Sequence, residues 1–257
     1  MRVKYSKTPP ESREGEAAAE PKPVRKAKPG RARLLPSQSS LELAGLAGAS
    51  PSPLTDQPQR SSPKGERSRA AILTAAASLA TTHGLHGLSI GQLASHLDMS
   101  KSGLYAHFKS KEELELATID VAAEIFQREV LDAGASAPPG LRRIRALADA
   151  FIDHLERRVF PGGCFFAAVA AELDTQPGPT RDRVARVLSD WLKLLTRCME
   201  EARATGEIDR KTEIPQAVFE AQSMLIAANF MFVMSNDPAT LTRAKKGIHN
   251  LLSRLRP

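Results

Sequence analysis

The sequence predicts an all-α protein: a three-helix unit of the helix-turn-helix type followed by a longer helical bundle, about nine helices in total. Three observations support this. From residue 66 onward apolar residues recur at helical spacing. Ser89-x-x-Gln92 and Ser110-x-x-Glu113 are paired helix-start signals, in which hydroxyl and side-chain acceptor satisfy free backbone N–H groups. Glycine and proline clusters at 84–87, 134–140, 161–163 and 177–179 punctuate the pattern, with no β-rich stretch or glycine-rich phosphate loop.

Residues 1–63 are rich in Pro, Ala, Ser, Lys and Arg and show no sustained period, so they are predicted to be a disordered basic extension. Within them Lys22, Arg25, Lys26, Lys28, Arg31 and Arg33 form a cluster that could add non-specific phosphate contacts. The first helix is expected from near Glu66 to about Thr82, with Ile72, Ala75, Ala76 and Leu79 inward and Arg67 and Arg69 facing a phosphate backbone. Ser89 caps the second, which buries Ile90, Leu93, Ala94 and Leu97. Asp98 then occupies a sharp turn, which Asp tolerates in the left-handed conformation.

Ser100 caps the third helix, whose first turn, Lys101, Ser102 and Gly103, is small, polar and basic, while Leu104 and Phe108 point to the core. A helix that enters a major groove tip-first needs such a tip. Lys101 suits guanine or phosphate, Ser102 a base edge, and Gly103 close backbone approach. Tyr105 and His107 on the flank, Ser89 at the preceding cap and Lys111 at the positive end of the fourth helix complete the candidate DNA-binding set with Arg67 and Arg69.

Residues 100–114, SKSGLYAHFKSKEEL, together with the helix before them and its ending His83-Gly84-Leu85-His86-Gly87-Leu88-Ser89, resemble the DNA-binding domain of the TetR family of one-component repressors. The resemblance spans roughly residues 66–114. It implies that Lys101, Ser102, Gly103, Tyr105, His107 and Lys111 match DNA-contacting positions. Asp98 stands where the family usually has glycine, and Met99 where valine is frequent.

Residues 64–111 are thus assigned to the DNA-binding domain and 112–257 to an effector-binding and dimerisation domain. The fourth helix is expected to run from Lys111 to about Leu131, and later helices to span about 141–158, 164–173, 181–204, 216–234 and 238–255, with Pro161-Gly162-Gly163 stopping the first of these. Phe126, Phe151, Phe165, Phe166 and Trp191 are candidate lining for a small-molecule pocket. The last two helices carry more apolar surface than one stripe can hide, and Phe219, Met224, Leu225, Phe232, Ile248 and Leu252 are candidates for a two-fold four-helix interface. A homodimer would read a palindromic double-stranded operator. The resemblance further implies that an effector moves the fourth helix, and with it the recognition unit.

Charge agrees with this polarity. Of the net +7, residues 1–64 contribute +6, residues 65–111 +3 and the remainder −2, so the polyanion-binding end is N-terminal. No apolar run is expected to reach the roughly 20 residues of a membrane helix, and Met1–Pro10 is too charged for a secretory signal, so a cytoplasmic protein without a membrane partner is expected. The six histidines have no metal-ligand spacing and no nucleophile motif occurs, so no metal, cofactor or catalytic residue is assigned. Two alternatives stand beside a ligand-released repressor: a constitutive, sequence-tolerant architectural protein, and a regulator sensing oxidants through Cys164 or Cys198.

Overall fold

The computed structural model describes residues 63–257, so the basic cluster between Lys22 and Arg33 lies outside the described residues. The described chain is helical: α1 (Pro63–His83), α2 (Ile90–His96), α3 (Lys101–Tyr105), α4 (Lys111–Phe126), a π-helical turn (Gln127–Leu131), α5 (Asp132–Ala135), α6 (Leu141–Glu156), α7 (Phe165–Leu173), α8 (Pro179–Ala204), α9 (Ile214–Ser235) and α10 (Pro238–Arg254). Helical dihedrals persist through the junctions at Gln127 and Asp132, so α4, the π turn and α5 form one rod. Nine rods therefore make up the described residues. One continuous apolar core runs from Ile72 in α1 to Leu252 in α10, so the small N-terminal helices are stabilised by the body behind them.

Local signals set the N-terminal elements. Ser89 accepts from the N–H of Gln92 at 3.1 Å while the Gln92 side chain accepts from the N–H of Ser89 at 3.3 Å, so the first capping box is complete. Asp98 adopts φ 53, and the N–H of Met99 donates back to the Ala94 carbonyl at 2.9 Å, which closes the turn. Ser100 accepts from Gly103 at 3.1 Å. The second box is only half as expected: Ser110 accepts from Glu113 N at 3.0 Å, but the Glu113 carboxylate reaches the N–H of Lys109, at 2.8 Å, instead of that of Ser110.

Two boundaries differ from the sequence expectation. Helix α6 ends at Glu156, before Pro161, because Arg158 turns left-handed at φ 50 and its guanidinium sits 4.9 Å from the Phe232 ring centroid while hydrogen-bonding Asn236. The π turn was not anticipated; the Arg157 guanidinium holds it to the end of α6 through Glu129 at 2.7 Å.

Helix α9 also corrects an expectation. It is 22 residues long and contains an 18-residue stretch with a mean hydropathy of 1.5, long and apolar enough by composition to span a bilayer. Ala217, Val218, Ala221, Leu225, Ala228 and Phe232 face the core, whereas Phe219, Ile226, Phe230 and Met234 are exposed. A helix apolar on two faces has one face covered by its own chain and one left over.

Candidate nucleic-acid interface and interior cavity

At the N-terminal end the α3 tip is presented to solvent. Lys101, Ser102 and Tyr105 are exposed, Tyr105 by 61%, while Leu104 and Phe108 are fully buried and fix the orientation of the tip. Gly103 has room for no easy side chain, since a Cβ there would lie 3.2 Å from the Ser100 hydroxyl that caps the helix. The Lys101 amine lies over Gly91 of α2, so a cation sits between the two short helices. Ser89 is exposed at the start of α2, His107 is half-buried beside Phe108, and Asp98 is exposed in the turn. Arg67 is exposed on α1.

Arg69 and Lys111, two of the proposed DNA-binding cations, tie the unit to α4. Arg69 lies 4.8 Å over the Phe108 ring and 3.6 Å from the Glu113 carboxylate, tying α1 to the start of α4. Lys111 donates to the His86 carbonyl and pairs with buried Glu115 at 3.6 Å. Each can reach a phosphate only by exchanging these partners, so both are assigned first to holding the unit together.

Sequence reasoning missed the groups that fix this unit to the body. Glu172 of α7 accepts from the backbone N–H of Leu85 at 2.6 Å and of His86 at 2.8 Å, in the loop that joins α1 to α2. Gly84, at φ +79, lies against the same carboxylate. The His86 imidazole meets Glu115 of α4 at 3.1 Å, and Thr81 of α1 accepts from Gly162 N at 3.0 Å. The loop entering α2 is therefore bonded to both α4 and α7. A Glu at the next-to-last position of a mostly apolar helix was the only available signal, because the partners lie more than eighty residues away.

In the body, Phe126, Phe151, Phe166 and Trp191 form an edge-to-face cluster around Phe126, with centroids 5.5–6.3 Å from it. They line a cavity of about 20 Å³ that Cys164 and Gln222 also bound, room for no more than about one water molecule. Phe165, the fifth candidate, is not part of this wall; it packs on Phe160 and Phe166. The Trp191 indole donates to Gln222 at 2.8 Å. His154 is buried with its ring edge-to-face against Phe126, and neither ring nitrogen has a hydrogen-bond partner in the protein. Burial pushes its pKa down to about 4, with Glu129 opposing and Arg157 reinforcing the shift.

Both cysteines are buried and free, and burial raises the Cys164 thiol to about 11 and Cys198 in the same direction. That withholds the thiolate an oxidant sensor needs and removes support for the redox alternative. Among the described residues no cluster of His, Cys, Asp and Glu could hold a metal ion.

The dimer candidates divide. Phe219 is exposed by 66% and Met224 is half-buried, but Leu225, Phe232, Ile248 and Leu252 belong to the chain's own core. The outward apolar face consists instead of Phe219, Ile226, Phe230 and Val233, spaced by seven, four and three residues, with Met231, Met234 and Leu192 of α8 beside them.

A helix-turn-helix tip carried by a helical body defines a DNA-binding protein of the helix-turn-helix class. Comparison agrees: residues 72–118 match the profile described as bacterial regulatory proteins, tetR family, and residues 140–248 match that of the tetracyclin repressor-like C-terminal domain. The chain belongs to the TetR family, a family of DNA-binding transcriptional regulators rather than enzymes. A TetR transcriptional regulator of Chloroflexus aurantiacus is 26% identical in its crystal structure, with a TM-score of 0.70 over 74% of this chain and 96% of that one. The HTH-type transcriptional repressor DhaR of a Mycobacterium species is 26% identical over 129 residues, 49% of this chain. The HTH-type transcriptional activator FasR of Mycolicibacterium smegmatis is 33% identical over 94 residues, 37% of this chain. The chain spans 63% and 42% of the length of these two curated relatives.

Two outcomes follow from these contacts. Glu172→Ala strands the Leu85 and His86 amides, so it is expected to lower stability by about 2 kcal/mol and to accelerate hydrogen exchange at those two amides ahead of the core. For His154 the unfolded chain binds a proton as pH falls through 6.5, whereas the folded chain resists down to about 4. Stability is therefore complete above pH 6.5 and declines between 6.5 and 4, by about 3 kcal/mol. Denaturant midpoints measured across that window are expected to show the decline, and His154→Phe to flatten it.

Proposed function

We propose that the protein is a homodimeric, cytoplasmic repressor that binds a palindromic double-stranded operator and is released by a small-molecule effector. Residues 64–111 would be the DNA-binding domain and 112–257 the effector-binding and dimerisation domain. The observation that carries the reading is the α3 tip: Lys101, Ser102 and Tyr105 stand in solvent on a helix whose opposite side, Leu104, is fully buried. Lys101 and Ser102 contact base edges or phosphates, Gly103 allows the approach, and Ser89, Tyr105, His107 and Arg67 contact the backbone. Arg69 and Lys111 support that surface, with phosphate contact as a second role. DhaR is named as a repressor and FasR as an activator, so relatives of this chain act in both directions, and DhaR supports the repressor reading.

The outward face of α9 supports a second copy as the partner. Helix α8 joins α9 through the Trp191–Gln222 hydrogen bond and adds exposed Leu192, so two helices from each copy would close a four-helix seam. The aromatic cluster around Phe126 supports an effector site at the rod that starts at Lys111. A ligand that binds the displaced arrangement better would shift the population away from the DNA-competent one.

The test begins with genomic fragments selected by the purified chain. Lys101→Ala combined with Tyr105→Ala is expected to weaken binding to the selected sites by about a hundredfold or more, with helicity and oligomeric state unchanged; unchanged binding would remove the mechanism. Phe219→Glu combined with Phe230→Glu is expected to give a folded monomer by sedimentation that no longer retains the operator, whereas an unaltered dimer would place the interface elsewhere.

A further inference from the structure

We propose that the effector site continues beneath the Phe126 ring to His154, and that its ligand is a mainly apolar molecule with one uncharged hydrogen-bonding group, a hydroxyl or a carbonyl, which the imidazole receives. This rests on the effector-site reading above and adds to it the ligand's chemistry and its anchoring residue.

The two ring nitrogens of His154 are the only buried side-chain polar atoms without a partner among the described residues. A neutral imidazole offers one donor and one acceptor. Leaving them unmet is unfavourable, and such exceptions in a folded core call for an explanation. Phenylalanine or leucine would fill the same place, between Phe126 and Phe160, without that cost.

Position supplies the explanation. The Phe126 centroid is 6.4 Å from that of His154, and the same ring is a wall of the small cavity bounded by Phe151, Phe166 and Trp191. The Phe126 ring is therefore shared between the cavity wall and the contact with the unpartnered imidazole. Phe126 is also the last residue of α4 before the π turn, where the backbone has already left regular α-helical bonding. A ligand that displaces the ring gains room, reaches His154 and acts directly on the rod whose other end is at the DNA-facing unit.

The lining sets the ligand class. No charged side chain bounds the cavity, so an ionised group would be desolvated there without compensation. The polar groups within reach are His154 and the amide of Gln222, whose oxygen already accepts from Trp191. Aromatic walls with so few polar points favour a ring or short aliphatic body carrying a single polar substituent.

The probes are p-cresol and p-xylene, which share shape and differ in one hydroxyl, titrated into the full chain by calorimetry and by the emission of Trp191, the single tryptophan. The unaltered chain is expected to bind p-cresol about tenfold more tightly than p-xylene, the effect of one net hydrogen bond. In His154→Phe that ratio should fall to about one, with p-xylene binding retained. In the unaltered chain the His154 ring nitrogen resonances should move with p-cresol and stay with p-xylene, a readout independent of how the variant folds. Equal affinity for the two probes, a preference that survives in His154→Phe, or stationary His154 resonances would overturn the assignment. Binding of neither probe would overturn the effector-site reading itself, so the two failures are distinguishable.

Discussion

The arrangement depends on one carboxylate. After α1 ends, the N–H groups of Leu85 and His86 have left its hydrogen-bond ladder, and Glu172 of α7 takes both, at 2.6 and 2.8 Å. A charged acceptor shared by two backbone donors is short-ranged and directional, so it fixes position as well as contributing energy. The loop it holds leads directly into Ser89 and α2, and α7, which carries it, also carries Phe165 and Phe166 of the aromatic core. The DNA-facing unit is thus not a bead on a linker. It is bonded to α7 through Glu172 and to α4 through Glu115 and Glu113, while Arg69 stacks on Phe108 within the unit itself.

Two supports on separate helices give the body two ways to set the angle of the α3 tip. The α4 rod passes from the tip's base, through Phe126, to a π turn pinned by Arg157. Packed interiors shift between discrete arrangements more readily than they deform continuously. In the proposed mechanism a change at Phe126 would travel along α4 while Glu172 holds the loop, and a small rotation between the two supports would become a change in tip orientation.

What the sequence revealed divides by range of interaction. Ser89, Gln92, Asp98 and Ser100 act on neighbours within four residues, so the helix starts and the left-handed turn were legible from residue type alone. Contacts across eighty or more residues were not: Glu172 with Leu85, and Gly162 with Thr81, leave no periodic trace. Arg69 and Lys111 were legible as cations in the right place, but their intrachain partners on α4 and the α1–α2 loop were not. In α9 the apolar content was evident while the inward face was not, because a helix apolar nearly all round has no polar stripe to orient it; Leu225 and Phe232 were assigned outward and point inward. His154 sat inside a clean amphipathic pattern on α6, where a histidine one helical step from Phe151 and Leu155 gave no sign of its unmet nitrogens.

The central claim is that two copies of the α3 tip, related by a two-fold axis, enter successive major grooves on one face of a duplex. Hydroxyl-radical footprinting on a DNA fragment selected by the protein tests it most directly. The account predicts two protected patches, mirror-related in sequence, about one helical turn or a simple multiple apart on the same face, with two chains bound per site. A single asymmetric patch, or even protection along the fragment with no dyad, would contradict it.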